Sequence, residues 1–191
     1  PVRIELPGEA KGILRNSEGW AEIDVATHSF GQGFSVTPLQ MVQAYSTLAN
    51  GGLLVRPHLV ASRDKLGKES IPTPVRVLSP ESARAVSDML LGVIEDPHGT
   101  GKAAAVPGMS VRGKTGTAQK ARADGRGYDP DNVLASFIGY IEGSTALPNR
   151  KLVFYVAVDE PGVYPRWGGA LAAPIFQRAM ERIVAHLLAK G

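Results

Sequence analysis

Apolar residues recur at intervals of three and four in three separate stretches of the chain. Leu39, Val42, Tyr45, Leu48 and Ala49 form the first, and their spacing predicts a helix. Thr37 supplies its N-cap, Pro38 suits the first helical position, and Gln40 completes a capping box. Gly51-Gly52 ends it. A second helix opens at Ser79-Pro80-Glu81 and carries Ala83, Val86, Met89, Leu90, Val93 and Ile94 as its apolar stripe. Asp96-Pro97 and Gly99 stop it. The most regular stretch is the last, with Leu171, Ile175, Phe176, Ala179, Met180, Ile183, Val184, Leu187 and Leu188. Such a stripe predicts a helix packed on a sheet.

Between the second and last helices the period changes. Ser110–Gln119, Leu134–Ile141 and Leu152–Val158 read as strands, the last an almost unbroken apolar run. Arg122–Asp131, rich in glycine and charge, separates the first two, and Gly143–Asn149 the next. Loops of that size suit antiparallel neighbours rather than parallel crossovers, so Val111–Gln119 is expected to pair antiparallel with Leu134–Ile141. The stretch up to Phe34 reads as loop-rich, with Val2 to Leu6 extended. The fold class is therefore α+β, an antiparallel sheet flanked by helices. No internal repeat or linker divides the chain, so residues 1–191 are expected to form part of one domain.

Composition narrows the function. The 191 residues hold 21 Lys and Arg against 18 acids, spread rather than clustered, which disfavours nucleic acid as a partner. With no cysteine there is no disulfide framework, thiolate metal site or thiol nucleophile. His28, His58, His98 and His186 stand far apart and outside any metal-binding spacing. Neither a metal nor another cofactor is expected. No apolar run approaches the ~18 residues of a membrane span, and the chain reads as a soluble piece. It opens on Pro1 rather than Met, as a processed or excised portion of a longer protein would.

Arg112-Gly113-Lys114-Thr115-Gly116-Thr117 is the most informative string, and it has two readings. Gly108 to Thr115 fits the phosphate-cradling pattern G-x-x-x-x-G-K-[ST], with Asp159-Glu160 after an apolar strand as a magnesium-binding acid. A phosphate loop, however, must open a helix at its Lys-Thr. Gly116 follows at once here, and Thr117–Asp124 offers no large apolar residue to dock a helix. Read the other way, Lys114-Thr115-Gly116 matches the K-T-G element of penicillin-binding proteins and serine β-lactamases. Lys114 then supplies a positive charge for a substrate carboxylate, and Gly116 lets a flat acyl group lie against the backbone. Thr115 and Thr117 hydroxyls can hydrogen-bond substrate, and the Thr117 backbone N–H can face a developing oxyanion. The bland alternative is an edge strand with solvated Lys and Thr.

Other strings widen the match. Ser29-Phe30-Gly31-Gln32-Gly33, Ser35-Val36-Thr37-Pro38-Leu39-Gln40 and Leu48-Ala49-Asn50-Gly51-Gly52 resemble the stretch before K-T-G in class B penicillin-binding proteins. Gly113-Lys114-Thr115-Gly116-Thr117-Ala118-Gln119 follows at the family's distance. Ala135-Ser136-Phe137-Ile138-Gly139-Tyr140 resembles the family's next strand, and Gly168-Gly169 with Ala172-Ala173-Pro174 its final helix start. Leu6-Pro7-Gly8-Glu9-Ala10 looks like the segment after the family's second motif. The resemblance runs from about Leu6 to the C-terminus and is nearest the division or sporulation branch.

The resemblance implies the C-terminal portion of a D,D-transpeptidase domain that cross-links peptidoglycan stem peptides ending in D-Ala-D-Ala. It implies an acyl-serine intermediate, inhibition by β-lactams, and catalytic roles for Lys114 and Thr117, with Thr115, Gly116 and Thr117 binding substrate. The implied partners are the missing N-terminal half and other cell-wall or division proteins. The parent would be anchored by an N-terminal helix at the outer face of the bacterial cytoplasmic membrane. The family's other motifs are S-x-x-K and S-x-N. The second is absent, and the one S-x-x-K match, Ser62-Arg63-Asp64-Lys65, follows the Pro38 helix, whereas the family's nucleophile lies upstream. Ser62 is read as a chance match, and the chain alone as inactive. A sensor domain of the same superfamily, which binds penicillin without turnover, is the other reading.

Overall fold

A capping box needs only four consecutive residues, and the one at Thr37 forms as expected. In the computed structural model, which describes residues 1–59, 73–122, 124, 126–142 and 150–190, Thr37 Oγ1 accepts the Gln40 N–H at 3.1 Å. Gln40 Oε1 accepts the Thr37 N–H at 2.8 Å in return. The chain divides into two compact units, Pro1–Arg84 and Ala85–Gly191.

The first unit holds helices α1 (Glu22–Ser29) and α2 (Pro38–Ala49) and a small antiparallel pair, β1 (Leu53–Leu54) with β2 (Val75–Arg76). Helix α1 lies in the stretch before Phe34 that reads as loop-rich, where no helix is expected. Hydrophobic spacing could not reveal it, because none of its residues is buried and Ile23 and Val25 face solvent. A local signal forms it instead: Asp24 Oδ2 accepts the Ala21 N–H at 2.9 Å. Nor is Val2 to Leu6 extended. Arg3 and Glu5 take φ of 63° and 71°, and the segment bends so that the Glu9 carboxylate accepts the backbone N–H groups of Val2 and Arg3. The α2 terminus is as read, with Gly51 and Gly52 at positive φ. At Gly52 an added Cβ would lie 2.3 Å from the Leu78 carbonyl oxygen, so the glycine also permits close approach.

The unit boundary falls within α3 (Pro80–Glu95). Its buried row is Ala83, Ser87, Leu90 and Ile94, while Val86 and Met89 are exposed. The expected stripe is thus rotated. Ser87 can sit inside because the Tyr140 hydroxyl bonds its Oγ at 2.8 Å, a partner invisible to an apolar count. The same burial pushes the Tyr140 phenol up from its ordinary range.

The second unit is built on a three-stranded antiparallel sheet in the order β3-β4-β5, covered by the long helix α4 (Gly168–Lys190). The strands are β3 (Val111–Ala121), β4 (Tyr128–Ile141) and β5 (Leu152–Asp159). The expected pairing holds: Val111 stands opposite Ile141, Thr115 opposite Phe137 and Ala118 opposite Leu134. β4 begins at Tyr128, so the connection is shorter than the expected Arg122–Asp131, and the register shifts between Gln119 and Ala121. Phe137 and Phe176 meet edge-on with ring centroids 4.8 Å apart, at the centre of a core that includes Ile94, Val111, Val156 and Met180. On α4 the buried row is Ala172, Ala173, Phe176, Met180 and Val184, while Ile175, Ile183 and Leu188 of the expected stripe are exposed.

Candidate active site

Strand β3 forms an edge of its sheet, and the K-T-G string lies in its middle. Alternation along a strand sends Lys114 and Gly116 to one face and Thr115 and Thr117 to the other. Lys114 is exposed, and its Nζ donates to the Thr115 carbonyl at 3.1 Å and lies 3.5 Å from Thr115 Oγ1. Among the described residues no carboxylate lies within ion-pair distance of it. The other lysine of the strand behaves differently. Lys120 Nζ meets Glu160 at 2.7 Å and Asp159 at 3.1 Å, and these bonds, Glu160's foremost, hold the ammonium above its usual range.

The face bearing Thr115 and Thr117 meets the start of α4. Gly168 N–H donates to Thr117 Oγ1 at 3.2 Å. A Cβ at Gly168 would lie 2.1 Å from the Ser136 carbonyl oxygen and 2.4 Å from that of Gly116, so the helix start rests directly on the strand backbone. Trp167 has an exposed ring, and its carbonyl accepts the Ala170 and Leu171 N–H groups at 3.0 Å to open α4. Arg166 steadies the approach: its guanidinium donates to the Asp131 carbonyl and lies 4.4 Å from the Tyr164 ring centroid. On the other face a Cβ at Gly116 would come within 2.5 Å of Ser136 Oγ.

Sequence reading missed Thr100. Its Oγ1 lies 3.0 Å from Thr115 Oγ1, joined across 15 residues of chain by a contact no local pattern signals. Ser62-Arg63-Asp64-Lys65 lies outside the described residues, as do residues 143–149, read from sequence as a loop. The described residues contain no cluster of His, Asp and Glu able to hold a metal, and no described helix is long and apolar enough to cross a membrane.

Lys114-Thr115 lies in mid-strand rather than at a helix start, which removes the phosphate-loop reading. What remains is an exposed edge-strand cation, two hydroxyls and a bare glycine, and this string sits within a longer match. The profile of the family described as "Penicillin binding protein transpeptidase domain" matches residues 1–181. The chain belongs to that family, in its class B branch. Stage V sporulation protein D of Bacillus subtilis is 38% identical over 190 residues, covering 96% of this chain and 28% of that protein. Peptidoglycan D,D-transpeptidase FtsI of Escherichia coli is 34% identical over 184 residues, covering 96% of this chain and 29% of that one. Among solved structures, the apo TP domain of Burkholderia pseudomallei penicillin-binding protein 3 matches with a TM-score of 0.81 and 38% identity. The match covers 97% of this chain and 53% of that domain's chain. Mycobacterium tuberculosis penicillin-binding protein 3 in complex with ampicillin matches with a TM-score of 0.78 and 32% identity, over 99% of this chain and 42% of that one. The transpeptidase-family chain described here thus spans under a third of the length of those curated relatives.

Proposed function

We propose that this chain is the K-T-G-bearing part of a peptidoglycan D,D-transpeptidase that cross-links stem peptides through an acyl-serine intermediate and is acylated by β-lactams. The observation that carries the reading is Lys114, exposed on an edge strand with no described carboxylate beside it, while Lys120 of the same strand is doubly paired. A cation at a strand edge that meets only neutral oxygens among the described residues suits an incoming carboxylate. Thr115 and Thr117 offer hydroxyls on the other face of the strand, Thr115 Oγ1 still within 3.5 Å of Lys114 Nζ, and the Thr117 backbone N–H is the group assigned to the oxyanion. Gly116 keeps the strand low enough for an acyl group to lie along it. The nucleophilic serine and its lysine belong to the remainder of the parent, which acts at the outer face of the cytoplasmic membrane on chains ending in D-Ala-D-Ala.

The test is labelling by a fluorescent penicillin, read by intact mass. The full-length parent should gain one adduct, and this chain alone should gain none, because acylation needs a serine beside a base. A stable adduct on this chain, at Ser62 or elsewhere, would overturn the division of roles. An unlabelled, folded parent would overturn the transpeptidase assignment.

A further inference from the structure

We propose that Thr100 is a positioning residue that sets the direction of the Thr115 hydroxyl proton; the proposal rests on the reading of Lys114 and Thr115 as the carboxylate contact. The two hydroxyl oxygens lie 3.0 Å apart and share one hydrogen bond, which can run either way. If Thr115 donates, only its lone pairs are left for a ligand, and these repel a carboxylate. If Thr100 donates, the Thr115 proton is released toward the ligand. An incoming carboxylate beside Lys114 Nζ, itself 3.5 Å from Thr115 Oγ1, selects the second arrangement. Both members of the K-T-G pair then donate to one anion, with Thr100 supplying the proton that occupies the Thr115 oxygen.

The backbone around Thr100 holds this hydroxyl in place. Gly99 N–H donates to the Asp96 carbonyl at 2.9 Å, and Gly101 N–H to the Val93 carbonyl at 3.0 Å, fastening both flanks to the end of α3. A Cβ at Gly99 would lie 2.3 Å from the Val93 carbonyl oxygen, and one at Gly101 2.9 Å from Ile94 Cδ1. On the far side the Thr100 carbonyl oxygen is 2.4 Å from where a Gly169 Cβ would stand. The turn is therefore wedged between α3 and α4, so the hydroxyl is placed before any ligand arrives. Thr100 itself is exposed, within reach of a bound molecule.

The experiment uses the full-length parent and second-order acylation rates with benzylpenicillin and with its methyl ester, which lacks the carboxylate charge. Thr100→Val should slow the acid by about three- to tenfold, the range for losing one neutral hydrogen bond. It should leave the rate with the ester unchanged. Thr100→Ser should restore most of the rate, and Thr100→Val added to Thr115→Val should slow it no further. If Thr100→Val fails to fold, Thr100→Ala is read in the same way. A wild-type rate with the acid, or equal slowing of acid and ester, would overturn the proposal. Lys114→Ala separates the two levels. If it slows the acid and Thr100→Val does not, only the Thr100 role falls; if neither does, the carboxylate reading falls with it.

Discussion

Lys114 and Thr117 make different demands on the site, and their removal should be separable. Lys114→Ala in the parent deletes a charge-assisted hydrogen bond to the ligand carboxylate. Such bonds contribute roughly 1.5–3 kcal/mol, so acylation should slow by about tenfold to more than a hundredfold. Thr117→Val deletes a neutral hydroxyl that already accepts the Gly168 N–H, and leaves the backbone N–H in place, so its effect on acylation should be smaller. The melting temperature of Lys114→Ala should stay put, because the side chain is exposed. A wild-type acylation rate in Lys114→Ala at unchanged melting temperature would make it an ordinary solvated lysine.

At the scale of elements, the β3–β4 hairpin carries an acid-sensitive fastening. Asp129 Oδ1 accepts the Asp131 N–H at 2.9 Å, and Oδ2 the Asn132 side-chain amide at 3.0 Å. These bonds, the Asp131 backbone N–H first, hold the carboxyl below its ordinary range. A depressed native value means the contribution is complete above the unfolded value of about 3.9 and is lost as pH falls through the native one. Asp129→Asn should therefore remove part of the acid dependence of hairpin amide exchange below about pH 4; an unchanged profile would remove Asp129 as its source. Where α4 starts against the middle of β3, Gly168→Ala drives a methyl into the backbone of β3 and β4, which should cost about 1–3 kcal/mol. Gly162→Ala, where an added Cβ meets nothing within 4 Å, is the control. Equal melting temperatures for the two variants would refute the close packing.

Across the whole molecule, what the sequence made legible was what neighbouring residues decide together. The Thr37 capping box, the alternation of β3 and the K-T-G string all lie within a few residues. Helix α1 escaped notice because it buries nothing, and the α3 stripe was misplaced because Ser87 enters the core on the strength of Tyr140, 53 residues away. The candidate site divides along the same line. Lys114, Thr115, Gly116 and Thr117 could be named from one hexapeptide, whereas Thr100 belongs beside them only once β3 and the end of α3 are folded together. The family resemblance was legible because several short strings recur in order, although each is weak alone.

Gly168 follows Thr117 by 51 residues, yet its N–H holds that threonine and its backbone carries the strand. The start of α4 is in effect the floor beneath K-T-G. A premature stop codon anywhere between β5 and Gly168 would leave every residue of the K-T-G string encoded and translated, while removing the surface on which it lies. Genetic mapping that ranks lesions by distance from the motif would class such a truncation as remote, although Gly168, lost with it, touches the motif itself.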